Sequence, residues 1–304
     1  MNTYGTHFRL TTYGESHGLA VGGILDGCPS RLALDFEAIA ADLRRRSNGA
    51  PRHEDDEVEW LSGIKDGITL GTPIAFAVRN HNARPDDYAP LEHLFRPGHA
   101  DYTYQARYGV RDHRGGGRAS ARETVARVVA GAIAKQAIAP VTICAEVETL
   151  GPEGDTRGGV VGCRIEGLRA GVGNPIFGKL GALLAQGMMS IPSAIGFEMG
   201  AGFAAARMRG SEFIDRWQRQ GDGAPLTQTN HCGGVQGGIS NGMPVEFRVA
   251  FHPVATLPSE VECLSDDGTL VPTTIGGRHD NCQVMRAPVI VEAMAALTLA
   301  DLLT

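Results

Sequence analysis

The sequence predicts an α+β fold built as one domain. Several strand-like runs alternate apolar and polar residues, as half-exposed antiparallel strands do. These runs are Val21–Leu25, Val58–Leu61, Pro73–Val78, Val160–Ile165 and Val245–Phe251. Other segments have the apolar spacing of helices, and neither a Ser/Pro-rich linker nor a solenoid-type repeat divides the 304 residues. We therefore assign residues 1–304 to a single domain.

The helical segments follow from apolar spacing and from residues that can cap a helix. Four segments qualify: Phe36–Arg46, Ser120–Ala139, Ile176–Met189 and Val289–Leu302. Asp35 is a suitable cap for the first, and Ser120 with Glu123 predicts a capping box at the start of the second. The last is apolar on every side, which predicts burial between other elements.

Composition narrows the class of protein. The net charge of -6 and the pI of about 5.9 argue against a general nucleic-acid binder, as does the lack of interleaved aromatic residues. The six cysteines are far apart, so neither a disulfide scaffold nor a zinc finger is expected. The sequence has no signal-peptide pattern and no run of eighteen apolar residues. We expect a cytoplasmic protein that binds neither membranes nor nucleic acids.

Arginine dominates the positive charge of the chain. Of 28 basic residues only Lys65, Lys135 and Lys179 are lysine. A GC-rich coding bias explains part of this, but many arginines fall in or beside Gly-containing loops of the first half: Arg44, Arg45, Arg46, Arg52, Arg96, Arg111, Arg114, Arg118 and Arg122. Because a planar guanidinium matches phosphate and carboxylate groups, this distribution predicts a small polyanionic ligand.

Three segments carry candidate chemistry. Thr11–Gly18 is a polar turn that leaves His17 exposed, and a near-neutral imidazole can transfer protons. In Phe95–Tyr104, a Pro-Gly turn separates Arg96 from His99, with Asp101 close enough to orient the imidazole. Taken singly, a surface histidine or an ordinary turn would explain each of these segments.

The third segment, Arg111–Glu123, contains the run Arg114-Gly-Gly-Gly-Arg118 directly before a helix. Free backbone N–H groups, the positive end of a helix dipole and two guanidinium groups are predicted to converge there on an anion. The run fits neither a Walker A loop nor a dinucleotide fingerprint, which disfavours ATP-binding and NAD-binding folds. A metal site at His53–Glu57 is less favoured than a charged, solvated loop, so no metal is expected.

These segments together resemble the signatures of the chorismate synthase family. The resemblance also includes Asn230–Gly238, Gly277–Asp280, Arg286-Ala-Pro and Glu292-Ala, and so covers most of the chain. It implies a chorismate-synthase-like β-α-β sandwich, with a helical core between antiparallel sheets. It also implies a carbon-oxygen lyase of the shikimate pathway. Reduced FMN would assist a trans-1,4 elimination of phosphate from 5-enolpyruvylshikimate-3-phosphate, without net redox change.

The resemblance assigns roles to individual residues. The catalytic group would be His17, His99 and Asp280. The substrate would contact Arg46, Arg52, Arg96, Ser120 and Arg122. The flavin would contact Arg118, Ala119, Ser120, Pro192, Ser193, Gly237, the segment His252, Pro253, Val254, Ala255 and Thr256, and Arg278. The loop from Arg46 to Arg52 could also meet NADP, as in members tied to a reductase.

Partners and departures also follow from the resemblance. A separate flavin reductase would supply reduced FMN, and the family's homotetramer would be expected. The chain departs from the family in having His252 where lysine is usual, Asn281 in place of proline and Ile195 in place of lysine. It is also shortened around residues 139–166. These departures leave a second hypothesis open, a non-catalytic paralogue that binds FMN or another anion.

Overall fold

Two antiparallel sheets enclose a layer of helices in this computed structural model, which describes residues 1–49, 54–218, 225–276 and 280–304. The strands are β1 Thr3–Tyr4, β2 Arg9–Tyr13, β3 Ala20–Asp26, β4 Val58–Trp60, β5 Ile64–Lys65, β6 Ile68–Thr69, β7 Ile74–Arg79, β8 Leu94–Phe95, β9 Thr142–Leu150, β10 Gly159–Glu166, β11 Ala194–Met199, β12 Trp217–Gln218, β13 Leu226–Thr227, β14 Val235–Gln236, β15 Ile239–Ser240, β16 Val245–Phe251, β17 Val261–Ser265 and β18 Leu270–Thr273. The α-helices are α1 Phe36–Ser47, α2 Asp101–Tyr108, α3 Thr124–Ala137, α4 Leu180–Met189, α5 Gly210–Phe213 and α6 Ala287–Leu303.

The first large sheet has the order β1-β2-β3-β7-β4 and the second the order β11-β16-β10-β9. Both are antiparallel throughout. Helix α3 packs on β2, β3 and β7 of the first sheet, whereas α6 packs on β9 and β10 of the second and against α3. The predicted α+β sandwich with a helical core is confirmed.

Strand β16 shows why the sequence predicted this arrangement. Its residues alternate strictly between buried and half-buried, from Val245 to Phe251, so one face meets the helices. Helix α6 is buried on all sides from Val289 to Ala300, as its uniformly apolar sequence predicted. The predicted helix at Ile176–Met189 begins later, at Leu180, because residues before it form turns.

The start of α3 differs from the prediction. Ser120 does cap the chain, but it accepts from the N–H of Arg122 and opens a short 3₁₀ turn, Ala121–Glu123. The Glu123 carboxylate accepts instead from Thr12 and Arg127. The predicted capping box is therefore wrong, because long-range partners compete for that carboxylate.

A smaller sheet, β18-β17-β8, lies beside the large ones. It has its own apolar cluster, formed by Leu91, Cys263 and Ile275 with Tyr88 packed against them. Strand β8 leads directly into the segment that holds His99. The small sheet therefore fixes one wall of the candidate site.

Helices α3 and α6 pack closely at Gly131, where a methyl group would lie 2.5 Å from the Cα of Ala293. We predict that Gly131→Ala lowers the free energy of unfolding by about 1–3 kcal/mol, because backbone cannot yield as a side chain can. Urea denaturation would measure this. Gly181→Ala, in α4, is the matched control: its methyl group meets only the flexible end of Met199, so helix propensity should make it neutral or slightly stabilising. Equal stability of the two variants would contradict the prediction.

Candidate active site

The N-terminal ends of both central helices open onto one cavity of about 410 Å³. The turn before α3 contributes Ser120, Ala121 and Arg122, and the turn before α6 contributes Gln283 and Arg286. Because the N-terminal end of a helix carries partial positive charge, the two ends together favour an anion. The sequence had indicated only the first of them.

The cavity gathers most of the predicted site residues from distant parts of the chain. Its lining includes His17, Arg46, Arg96, His99, Ala119, Ser120, Arg122, Pro192, Ser193, His252, Val254, Ala255, Thr256 and Asp280. Sequence reasoning missed Ser16, Glu54, Tyr88, Gly98, Ala100, Gly115, Ala121, Gln283 and Arg286, which also line it. Six of these had a usable signal because they belong to matched motifs: Ser16, Gly98, Ala100, Gly115, Ala121 and Arg286.

Several predicted residues lie elsewhere. The Arg118 guanidinium turns away to Thr12 and to the carbonyl of Gly14. Gly237 belongs to the β14–β15 hairpin, and Pro253 does not reach the cavity lining. The predictions for Arg52 and Arg278 fall outside the described residues.

The prediction that Arg114 and Arg118 converge on an anion is wrong. Arg114 forms an ion pair with Asp112, at 2.8 Å from Nε to Oδ1, and Arg118 points away. Among the described residues, the guanidinium groups that line the cavity belong instead to Arg46, Arg96, Arg122 and Arg286. The triple-glycine run contributes something else, a surface without side chains against which other groups pack.

His17 is buried in the turn between β2 and β3, which corrects the prediction of an exposed residue. Its Nδ1 accepts the backbone N–H of Arg84 at 3.2 Å, and its ring meets Tyr88 edge to face at 4.9 Å. In the neutral ring the hydrogen therefore sits on Nε2. A methyl group on Gly115 would lie only 2.6 Å from that Nε2.

His99 follows the Pro-Gly turn, and its Nδ1 lies 2.9 Å from Oδ1 of Asp101. Arg96 clamps the same carboxylate, with Nε 2.7 Å from Oδ2 and Nη2 3.0 Å from Oδ1. The predicted orientation of His99 by Asp101 is thus present in the structure. Nε2 of His99 lies beside Gly116, as Nε2 of His17 lies beside Gly115.

The Asp101 carboxyl has a pKa well below its ordinary value. Burial alone would raise this pKa, but hydrogen bonds and charges from His99 and Arg96 outweigh burial. Arg111 also approaches Asp101, at 3.6 Å, and burial lowers the pKa of its guanidinium. The ionised carboxylate thereby holds one imidazole and two guanidinium groups in place.

A wall of small residues forms another side of the cavity. The N–H of His252 donates to the carbonyl of Ser193 at 3.0 Å, joining the end of β16 to the turn before β11. Ser193 has a left-handed backbone, with φ 67°, and its hydroxyl lies 3.2 Å from Oε1 of Gln283. Ser193, Val254 and Ala255 give this side of the cavity a surface with few bulky side chains.

Asp101 supports a prediction of pH dependence. Its pKa is depressed on folding, so the unfolded chain binds a proton more readily, and the stabilisation is present above about pH 4 and lost as pH falls below it. Asp101→Asn should lower the free energy of unfolding by about 3–5 kcal/mol at pH 7, since it leaves buried cations unpaired. Urea denaturation at several pH values should show this difference shrinking below pH 4.

The control for this prediction is the exposed ion pair of His93 and Asp266. Asp266→Asn should change the free energy of unfolding by less than about 1 kcal/mol. A difference between wild type and Asp101→Asn that stayed constant from pH 7 to pH 3 would refute the proposed linkage.

Comparison with known proteins identifies the family. The chain matches the sequence model described as chorismate synthase over residues 8–153 and 139–304. It is 46% identical over 345 aligned positions to the chorismate synthase of Christiangramia forsetii, and 44% identical to that of Flavobacterium psychrophilum. Each alignment covers 99% of this chain and 96% of the relative.

A solved structure gives the same answer. A crystal structure of chorismate synthase superposes with a TM-score of 0.78 at 29% identity, covering 99% of this chain and 92% of the other. Among the described residues, no helix is both long and apolar enough to cross a membrane. By sequence, by fold and by the motifs that line its cavity, this chain belongs to the chorismate synthase family.

Proposed function

We propose that this protein is a carbon-oxygen lyase that converts 5-enolpyruvylshikimate-3-phosphate to chorismate and phosphate, with reduced FMN as cofactor. One observation carries the proposal: His17 and His99, from distant segments, face a single arginine-lined cavity, each packed against a glycine of one run. Loss of phosphate needs cations and a proton donor at the departing oxygen, and this cavity provides both.

Substrate binding is assigned to Arg46, Arg96, Arg122 and Ser120. The three arginine side chains are each only 4–7% exposed, so water competes weakly for their charge. A substrate with one phosphate and two carboxylates needs several such groups at fixed positions. Arg52 stays a prediction for the same role.

Proton transfer is assigned to the two histidines. Because Nδ1 of His17 accepts the Arg84 N–H, Nε2 carries the hydrogen and can donate a hydrogen bond to a departing phosphate oxygen. Because Nδ1 of His99 faces Asp101, its Nε2 is the nitrogen presented beside Gly116. Asp280, which contacts Arg286 and lines the cavity, is assigned the role of assisting removal of the substrate's ring proton through the flavin.

The wall of small residues fits a flat ring system. Ala119, Pro192, Ser193, Val254 and Ala255 present little bulk, and the cavity volume lies in the range of small-molecule sites. Reduced flavin bound there would lend electron density to the substrate as phosphate leaves and then recover it. His252 and Thr256 complete this wall, and Arg278 stays a prediction for it.

The wider setting is also part of the proposal. A separate flavin reductase would supply reduced FMN, the protein would form a homotetramer, and it would act in the cytoplasm. The six cysteines are all free, which agrees with a reducing compartment. The alternative of a non-catalytic paralogue gains no support from the relatives compared, which are described as chorismate synthases.

The test is an anaerobic assay with chemically reduced FMN and 5-enolpyruvylshikimate-3-phosphate, following chorismate and phosphate together. Equal, flavin-dependent release of both products is expected, with reactions lacking flavin or protein as controls. FMN binding without product would sink the proposal and favour the paralogue.

A further inference from the structure

The acidic segment Glu54–Glu57 is not the solvated loop that its sequence suggests. Glu54 and Asp56 are buried, whereas Asp55 and Glu57 are exposed. Among the described residues, no group of side chains is arranged to hold a metal ion. The two buried carboxylates must therefore be explained by their protein partners.

Glu54 and Asp56 each connect parts of the cavity wall. The Glu54 carboxylate accepts the backbone N–H groups of His81 and Asn82 at 3.1–3.2 Å. Residue Asn80, just before them, donates to the carbonyls of Glu15 and Gly18 and so fixes the turn that holds His17. The acidic segment is thus joined to one candidate acid through a single short stretch of backbone.

Asp56 makes the more informative contacts. Its carboxylate pairs with Arg122, lies 3.5 Å from Nη1 of Arg46, and accepts the hydroxyl of Ser47 at 2.7 Å. The side chains of Asp56, Arg46 and Arg122 are 2%, 7% and 5% exposed. One buried carboxylate therefore contacts two buried guanidinium groups of the cavity wall.

Other N–H groups of both guanidiniums also donate hydrogen bonds to the protein. Arg46 donates from Nε to Thr124 and from Nη2 to the carbonyl of Ala121, at 3.1 and 2.9 Å. Arg122 donates from Nε to Oδ1 of Asn80 at 2.9 Å. Neither guanidinium can rotate without breaking several bonds, so their geometry is set before any ligand arrives.

The backbone at Asp56 is also unusual. Its φ of 51° lies in the left-handed region, which costs energy for any residue with a side chain. This conformation turns the carboxylate inward between α1 and the start of α3, while Asp55 and Glu57 face solvent. Asparagine tolerates the same conformation, so Asp56→Asn can remove the charge without adding backbone strain.

We propose that Asp56 is a positioning residue, which fixes Arg46 and Arg122 as one preformed receptor for an anionic group of the substrate and reduces their joint charge by one. The proposal rests on the function assigned above. Removal of the Asp56 charge should therefore have opposite effects on turnover and on anion binding. Turnover should fall because the two guanidinium groups lose their fixed positions, and anion binding should strengthen because their joint positive charge rises by one.

The experiment compares Asp56→Asn with Asp55→Asn, a neighbour of the same chemistry that faces solvent. For Asp56→Asn, kcat should fall by at least about tenfold, since misplaced binding groups slow a reaction strongly. The KM should stay unchanged or fall, and inorganic phosphate should raise the melting temperature more than it does in wild type. Asp55→Asn should match wild type in all three measurements.

A loss of stability alone would not tighten phosphate binding, so the phosphate affinity obtained from this shift, corrected for each variant's enthalpy of unfolding, separates positioning from general damage. A kcat within twofold of wild type, or a phosphate response no larger than that of Asp55→Asn, would overturn the proposal. The phosphate measurement needs no turnover, so it decides this question even if wild type proved inactive and the proposed function failed.

Asp56→Glu keeps the inference testable if Asp56→Asn does not fold. It preserves the charge but moves the carboxylate outward by one methylene group. The phosphate response should then equal that of wild type, while kcat still falls by at least about tenfold. Wild-type turnover in Asp56→Glu would count against a positioning role.

Discussion

Alanine at His17 or at His99 is expected to lower kcat by about 10²–10⁴-fold, the usual contribution of general acid–base catalysis. Both imidazoles line the cavity, and each is contacted at Nδ1, by the Arg84 N–H in one case and by Asp101 in the other. Nη2 of Arg96 also lies 3.2 Å from Nε2 of His99. The two arrangements differ in kind. A backbone donor fixes the hydrogen on Nε2 of His17, whereas a carboxylate faces Nδ1 of His99.

Steady-state assays with chemically reduced FMN would measure these effects, and near-ultraviolet circular dichroism would check the fold. His93→Ala is the control, because that imidazole is 74% exposed and pairs with the surface residue Asp266. It should keep wild-type kcat within about twofold, as expected of a surface change. Wild-type rates in both His17→Ala and His99→Ala would show that the catalytic assignment is wrong.

Sequence patterns predicted the framework because its causes are local. The alternation in β16 and the uniform apolarity of α6 depend on residues within one element, and both gave nearly correct boundaries. Helix α2 was missed because it is short, polar and half-exposed, and strand β9 because much of it faces solvent. Neither α2 nor β9 has a regular alternation of apolar and polar residues that would predict it from sequence.

The sequence predicted most residues that line the cavity but not the ion pairs that they form. Motif resemblance named most cavity residues, whereas the local sequence pattern assigned Arg114 and Arg118 to an anion and treated the segment that contains Asp56 as a solvated loop. The structure gives the reason: Asp112 neutralises Arg114, and Asp56 lies between arginines that are 10 and 66 positions away. A charge pair between distant segments leaves no periodic signal, so its partner has to be seen in three dimensions.

The second large effect concerns the glycine run. Gly115→Ala and Gly116→Ala are each expected to reduce kcat by about 10²-fold or more, although neither glycine can transfer a proton. A methyl group on Gly115 would overlap Nε2 of His17 at 2.6 Å, and one on Gly116 would lie 3.1 Å from Nε2 of His99. Each variant should therefore displace one imidazole from the position that proton transfer requires.

Backbone strain must be separated from this steric effect, because both glycines have positive φ, 61° and 78°. Gly109 offers the matched control: its φ is 73°, it ends α2, and a methyl group there would meet nothing within 4 Å. Gly109→Ala should cost about 1 kcal/mol of stability, since alanine fits the left-handed region poorly, and leave kcat near wild type. If Gly109→Ala lost as much activity as Gly115→Ala, backbone strain alone would explain the loss. If Gly109→Ala stayed active, the contact with His17 would be the cause of the loss in Gly115→Ala.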